Sequence, residues 1–246
     1  MINFSRIDYE KRLGRLLRLP LRLVPRSAVF PIIQGPGRGI KWKIGSGNHG
    51  YWLGSYVVDV QTYLKETLTN GCVFYDIGAH AGFFSLIASR LVGNDGRVFS
   101  FEPNRTNAVN MKEHIFINEI SNIEVIEKAV GNGTGTVFLK EEEAHGIGSH
   151  ISGEGDYEVE MIGLDDFVFM HGKSRPDLIK MNIEGSELEA LKGSARLIKE
   201  LRPRFVIFTH GESLKMQCKL FLSNFHYVCT SLDRPYDHIL FASRDD

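Results

Sequence analysis

The sequence predicts an α/β protein: an open, doubly wound and mostly parallel sheet, preceded by an N-terminal helical extension. Three observations lead there. From residue 72 onward, short β-rich apolar runs alternate with segments of helical period. The first run ends in Asp76 followed at once by glycine, the kind of turn that opens a ligand site in such sheets. The chain of 246 residues, 43% hydrophobic and 24% charged, is also long enough to bury a core without disulfide or metal staples.

The elements follow in order. Residues 1–43 form a basic arm, with ten Lys or Arg against Asp8 and Glu10, a net +8 that leaves −9 for the remainder of the chain. Leu13, Leu16, Leu17 and Leu21 recur at helical spacing beside Arg12, Arg15, Arg18 and Arg22, interrupted by Pro20. Such a face suits packing on its own protein, contact with an anionic membrane surface or lipid-linked substrate, or exchange onto a second copy in a homodimer. A nucleic-acid partner is not expected. A Gly/Pro-rich cluster at residues 34–39 closes the arm, and a helix is expected over 58–68. The domain boundary is drawn at 70/71.

Strands are expected at 72–77, 97–101, 123–127, 178–183 and 204–208, with helices at 83–91, 106–117 and 186–192 between them. Residues 132–155, rich in Gly, Glu and His, read as a hairpin plus loop outside the core. Residues 227–230 and 238–242 read as a closing hairpin. Right-handed βα connections make the open doubly wound sheet the economical topology. Cys72, Cys218 and Cys229 show no paired spacing, which excludes a disulfide scaffold and a CxxC zinc site and suggests a reducing compartment. No apolar run approaches the roughly 20 residues that cross a bilayer. A cytoplasmic protein is the expectation.

The densest chemistry lies at Asp76-Ile77-Gly78-Ala79-His80-Ala81-Gly82. The pattern lacks the middle glycine of a dinucleotide cradle, and an acid before the glycines repels phosphate but suits a cation. Glu102 closes the second strand, 24 residues after Gly78, where a carboxylate accepts hydrogen bonds from a ribose diol. A ribose joined to a positively charged amino-acid group, without phosphate, describes S-adenosylmethionine.

Those residues, together with Phe101-Glu102-Pro103-Asn104, Glu127-Lys128-Ala129-Val130-Gly131, Leu164-Asp165-Asp166-Phe167 and Lys180-Met181-Asn182-Ile183-Glu184-Gly185, resemble the FkbM family of S-adenosylmethionine-dependent methyltransferases. The resemblance spans residues 72–208. It implies the class I (Rossmann-like) methyltransferase fold, seven strands with one antiparallel in the last hairpin. It also implies methylation of a hydroxyl on a sugar, glycan or small natural product. N-methylation, or a cofactor-binding module without turnover, are the alternatives.

The resemblance further implies that Asp76, Gly78, His80 and Gly82 line the methionine end of the cofactor. Glu102 would hold the ribose with Pro103 and Asn104 beside the adenosine, and Lys128 and Ala129 would lie near the adenine. Relatives usually have Asp where this chain has Asn182, also counted with the cofactor residues, and Asn rather than His at position 80. The Glu often found after Gly-x-Tyr is replaced here by Val57. Asn182 can donate and accept hydrogen bonds but cannot act as a base. A base is therefore sought at the ends of the fourth and fifth strands, where His210 and Glu184 are the candidates. Residues 141–150 suit a loop over the acceptor. Glu141, Glu142, His145 and His150 within it match no metal cage, so no metal is expected.

Overall fold

The computed structural model describes residues 24–141, 149–152, 155–233 and 236–244. The leucine–arginine face of the basic arm lies outside the described residues, as does most of the expected acceptor loop.

Seven strands form the main sheet: β3 (Val73–Ile77), β4 (Arg97–Phe101), β5 (Ile123–Ile126), β10 (Leu178–Met181), β11 (Arg204–Phe208), β12 (Val228–Ser231) and β13 (Ile239–Ser243). Their order is β12-β13-β11-β10-β3-β4-β5. The five strands from β11 to β5 run parallel, whereas β13 is antiparallel to both β11 and β12. This is the doubly wound class I arrangement the sequence predicts, with each expected strand present and the ends of some shortened. The chain order turns back between β3 and β10, so the carboxyl ends of these two strands flank a crevice. The central strands are buried on both faces. Tyr75, Ile77, Ile179 and Ile207 face one apolar cluster, and Phe74, Val98, Leu178 and Val206 face the other.

Helices cover both faces. They are α1 (His49–Trp52), α2 (Val58–Thr67), α3 (Phe83–Val92), α4 (Arg105–Ile117), α5 (Glu187–Lys192), α6 (Ala195–Leu201) and α7 (Glu212–Ser223). The described part of the N-terminal region is not a separate layer. Strands β1 (Val29–Pro31) and β2 (Lys41–Lys43) pair as a hairpin, and Ile32, Trp42, Tyr51, Val60 and Leu64 share one cluster with Phe83, Phe84 and Leu86 of α3. A buried histidine joins these parts. The Lys43 N–H donates to Nε2 of His114 at 3.1 Å, which leaves Nδ1 to donate to the Ala81 carbonyl at 2.8 Å. The indole of Trp42 stacks on that ring at 4.0 Å. The hairpin is thereby tied through α4 to the turn that follows β3.

Residues 129–162 hold more regular structure than their polar composition suggests. Strands β6 (Ala129–Val130), β7 (Gly135–Glu141), β8 (Ser149–Ser152) and β9 (Tyr157–Ile162) form a second sheet in the order β6-β9-β7-β8. The β7–β8 hairpin is as expected, but β9 and β6 extend it into a sheet with its own apolar cluster of Ala129, Leu139 and Val159. Among the described residues, no helix is long and apolar enough to cross a membrane.

Candidate active site

The turn after β3 is built by backbone that few residue types accept. Gly78 has φ +70°, His80 φ +52° and Gly82 φ +90°. A Cβ on Gly78 would lie 1.9 Å from the Asn182 carbonyl oxygen, so the close approach of this turn to the end of β10 requires glycine. Below the turn, the Asp76 carboxylate lies 2.9 Å from Nζ of Lys180, and Ser85 donates to its other oxygen at 2.6 Å. The Lys180 ammonium also donates to the Gly78 carbonyl at 2.7 Å. A buried ion pair, with Lys180 between the rings of Phe84 and Phe208, therefore holds the turn from beneath.

Beyond the turn, a cleft opens along the carboxyl edge of the sheet. Its middle is marked by Glu102. One carboxylate oxygen accepts the His80 N–H at 2.7 Å and the other accepts the Asn104 N–H at 2.9 Å. Burial pushes this carboxyl up to about 6, against the pull of those N–H groups. Phe101, Pro103, Ala129, Val130 and Leu139 make an apolar slot beside it, with Lys128 at its rim. Lys128 is held by Glu160 at 2.6 Å.

At the other end stand Asn182, Ile183 and Glu184. Glu184 has φ +51° and Gly185 φ +105°, so the backbone bends sharply immediately after β10. The bend is secured by Glu187, whose buried carboxylate accepts the N–H groups of Ile183 at 3.0 Å and Gly185 at 3.1 Å. Burial raises the Glu187 carboxyl above its usual range, with those amides and His210 opposing. His210, two residues past β11, faces this bend. Its Nε2 lies 3.1 Å from Asn182 Oδ1 and 3.7 Å from Glu187, and its Nδ1 lies 3.4 Å from Glu184. Tyr51 and Tyr56, with rings 4.6 Å apart, complete the wall. Burial raises both phenols, Tyr56 to about 12, so they are neutral near pH 7.

The FkbM methyltransferase domain matches residues 76–233, most of the chain. The chain belongs to the FkbM methyltransferase family. Its methyl donor is S-adenosylmethionine. Among similar proteins is the hexuronic acid methyltransferase AglP of Haloferax volcanii, 24% identical over 190 residues, which are 76% of this chain and 77% of AglP. The crystal structure of the methyltransferase FkbM from Methylobacillus flagellatus superposes with a TM-score of 0.56 at 21% identity. The match covers 80% of this chain, which spans 56% of the length of that structure.

The site fits the FkbM cofactor. A buried carboxylate that accepts two backbone N–H groups and the Asn107 side chain still has lone-pair capacity for a ribose hydroxyl, and the adjoining apolar slot suits a flat heterocycle. Of the residues singled out from sequence, Gly78, His80, Glu102, Pro103, Lys128, Ala129, Asn182 and Glu184 line the cleft. Asp76, Gly82, Asn104 and His210 do not. Asp76 is turned into the sheet, where its charge is matched by Lys180. Gly82 begins α3 packed on Met111, and the Asn104 side chain caps α4 by accepting the Asn107 N–H. His210 touches Asn182 and Glu184 at the edge of the cleft, with its side chain 36% exposed. Sequence reasoning missed Lys180, Tyr51, Tyr56 and Leu139. Lys180 lies within the Lys-x-x-x-Glu-Gly element and could have been noticed as a charge inside an apolar strand. Leu139 carries no local signal, because the second sheet brings it there.

Proposed function

We propose that this protein transfers the methyl group of S-adenosylmethionine to a hydroxyl of a saccharide. The observation that carries the reading is the placing of His210, an imidazole fixed between Asn182 and Glu184 at one end of the cofactor cleft. S-adenosylmethionine, when bound, supplies a methyl group on a sulfonium, and a hydroxyl acceptor must lose a proton in reacting with it. With Nε2–H donating to Asn182 Oδ1, the ring presents Nδ1 as the lone pair that takes this proton. Glu184, 3.4 Å away, then stabilises the imidazolium. Asn182, an amide that cannot itself act as a base, orients the imidazole and leaves the proton to it.

In the same reading, Glu102 accepts from the ribose hydroxyls. Gly78 and His80 would border the methionine end, Pro103 would lie beside the adenosine, and Ala129 and Lys128 would lie near the adenine. That AglP is a hexuronic acid methyltransferase supports a sugar as the acceptor.

The test is release of S-adenosylhomocysteine from purified protein over a panel of glycosides and polyols. An active acceptor should be a carbohydrate. His210→Ala should lower kcat at least about 100-fold, the scale of general-base catalysis, with S-adenosylhomocysteine binding within threefold of wild type. Turnover of His210→Ala near the wild-type rate would remove the base from this mechanism.

A further inference from the structure

The charge along the cleft is one-sided. The cleft follows the carboxyl ends of β10, β3, β4 and β5 in that spatial order, with Glu184 at the first and Lys128 at the last. Three strand spacings separate the two ends, about 14 Å, more than a Debye length at physiological salt. Among the described residues, Lys128 is the one Lys or Arg lining the cleft, and Glu160 already holds it. The Lys180 ammonium is spent on Asp76. At the opposite end, Glu184 is partly exposed, Glu187 is buried behind it, and the His210 ring lies against both carboxylates. Any positive charge on that ring is already matched within 4 Å.

The remaining polar groups at this end include the His80 imidazole, 5.9 Å from the Tyr51 ring, and no lysine or arginine among the described residues. Beside it stand the Asn182 amide and the two phenols of Tyr51 and Tyr56, which are hydrogen-bonded to each other. Such a wall offers acceptors and donors to hydroxyls and aromatic faces to a ring's apolar side. Among the described residues it sets the Glu184 carboxylate, and no lysine or arginine, against an anion.

Resting on the saccharide reading above, we infer that the acceptor is an uncharged polyhydroxylated ring and that Glu184 excludes sugars bearing a carboxylate. Glu184 accepts a hydrogen bond from a hydroxyl of a neutral sugar. A carboxylate brought to the same place meets a like charge in a partly desolvated site, which costs binding at every step. The inference separates this chain from AglP, whose named substrate class is a hexuronic acid.

Matched methyl glycosides test it: a hexoside, the corresponding hexuronoside, and the hexuronamide, which keeps the shape and removes the charge. Each is offered to the full chain with S-adenosylmethionine. The hexoside and the amide should exceed the hexuronoside in kcat/KM by at least about tenfold. Glu184→Gln should narrow that ratio, whatever its effect on the absolute rate. Inhibition by the hexuronoside in competition with the hexoside should strengthen in the same variant. Hexuronosides methylated as well as their neutral partners would overturn the exclusion while leaving the saccharide reading intact. An unchanged ratio in Glu184→Gln would remove Glu184 as its cause. Failure of every sugar, with turnover of a non-sugar acceptor, would overturn both.

Discussion

The Lys180 ammonium lies 2.9 Å from the Asp76 carboxylate with side-chain exposures of 3% and 0%, one residue pair joining the two strands that flank the cleft. Breaking such a pair from one side leaves a charge in the core without its partner. Lys180→Met should therefore cost about 3–5 kcal/mol of unfolding free energy, measured by urea titration. Asp76→Asn combined with Lys180→Met should recover part of that loss. A double variant as unstable as the sum of the single ones would mean the two residues act independently.

Gly78 is irreplaceable for a geometric reason. With φ +70° and the Asn182 carbonyl 1.9 Å from where a Cβ would sit, Gly78→Ala must push the turn away from β10. Binding of S-adenosylhomocysteine by calorimetry should fall at least about tenfold, with more than about 1 kcal/mol lost in stability. Unaltered affinity would show that the turn can shift without disturbing the cleft.

Cofactor affinity should depend on pH through Glu102. Its carboxyl titrates at about 6 in the folded protein, and ribose hydroxyls donate to the ionised form. Affinity is then full above pH 6 and falls by up to about tenfold per unit below it. For folding the sign is opposite, because raising the pKa above 4.5 makes ionisation of Glu102 a destabilising event as pH rises through 6. Calorimetry from pH 5 to 8 reads the first effect. Glu102→Gln should bind more weakly throughout and with a flatter profile, and a wild-type profile already flat would contradict the assignment.

His114 should make the fold acid-sensitive. Burial lowers its pKa to about 4 from 6.5, and both ring nitrogens are engaged in the neutral form. Between pH 6.5 and 4 the unfolded chain binds the proton and the folded one does not, so stability is lost as pH falls, by roughly 3 kcal/mol in all. Urea midpoints at pH 7 and 4.5 should differ more in wild type than in His114→Gln. Equal slopes for the two proteins would rule out this histidine as the source.

The alternation of β-rich runs and helical segments was enough to read the sheet, because each central strand here is mostly apolar and each helix has an apolar face to bury. The acid–glycine turn and Glu102 were legible for a related reason: their spacing is fixed by one strand, one turn and the next strand, all local in the chain. The sequence alone also offered His210 and Glu184, from positions 26 residues apart. What it could not supply was which groups meet. Asp76 reads as a site residue until Lys180, 104 positions later, is seen to cancel its charge across two adjacent strands. Leu139 reaches the cleft by pairing of a second sheet, and Tyr51 and Tyr56 reach it from the N-terminal extension that precedes the 70/71 boundary. Local pattern determined the elements and the donor chemistry, because hydrophobic period and turn backbone are properties of neighbours in sequence. Tertiary structure decided the direction of each side chain and the balance of charge in the cleft, because burial and Coulomb interactions depend on distance in space.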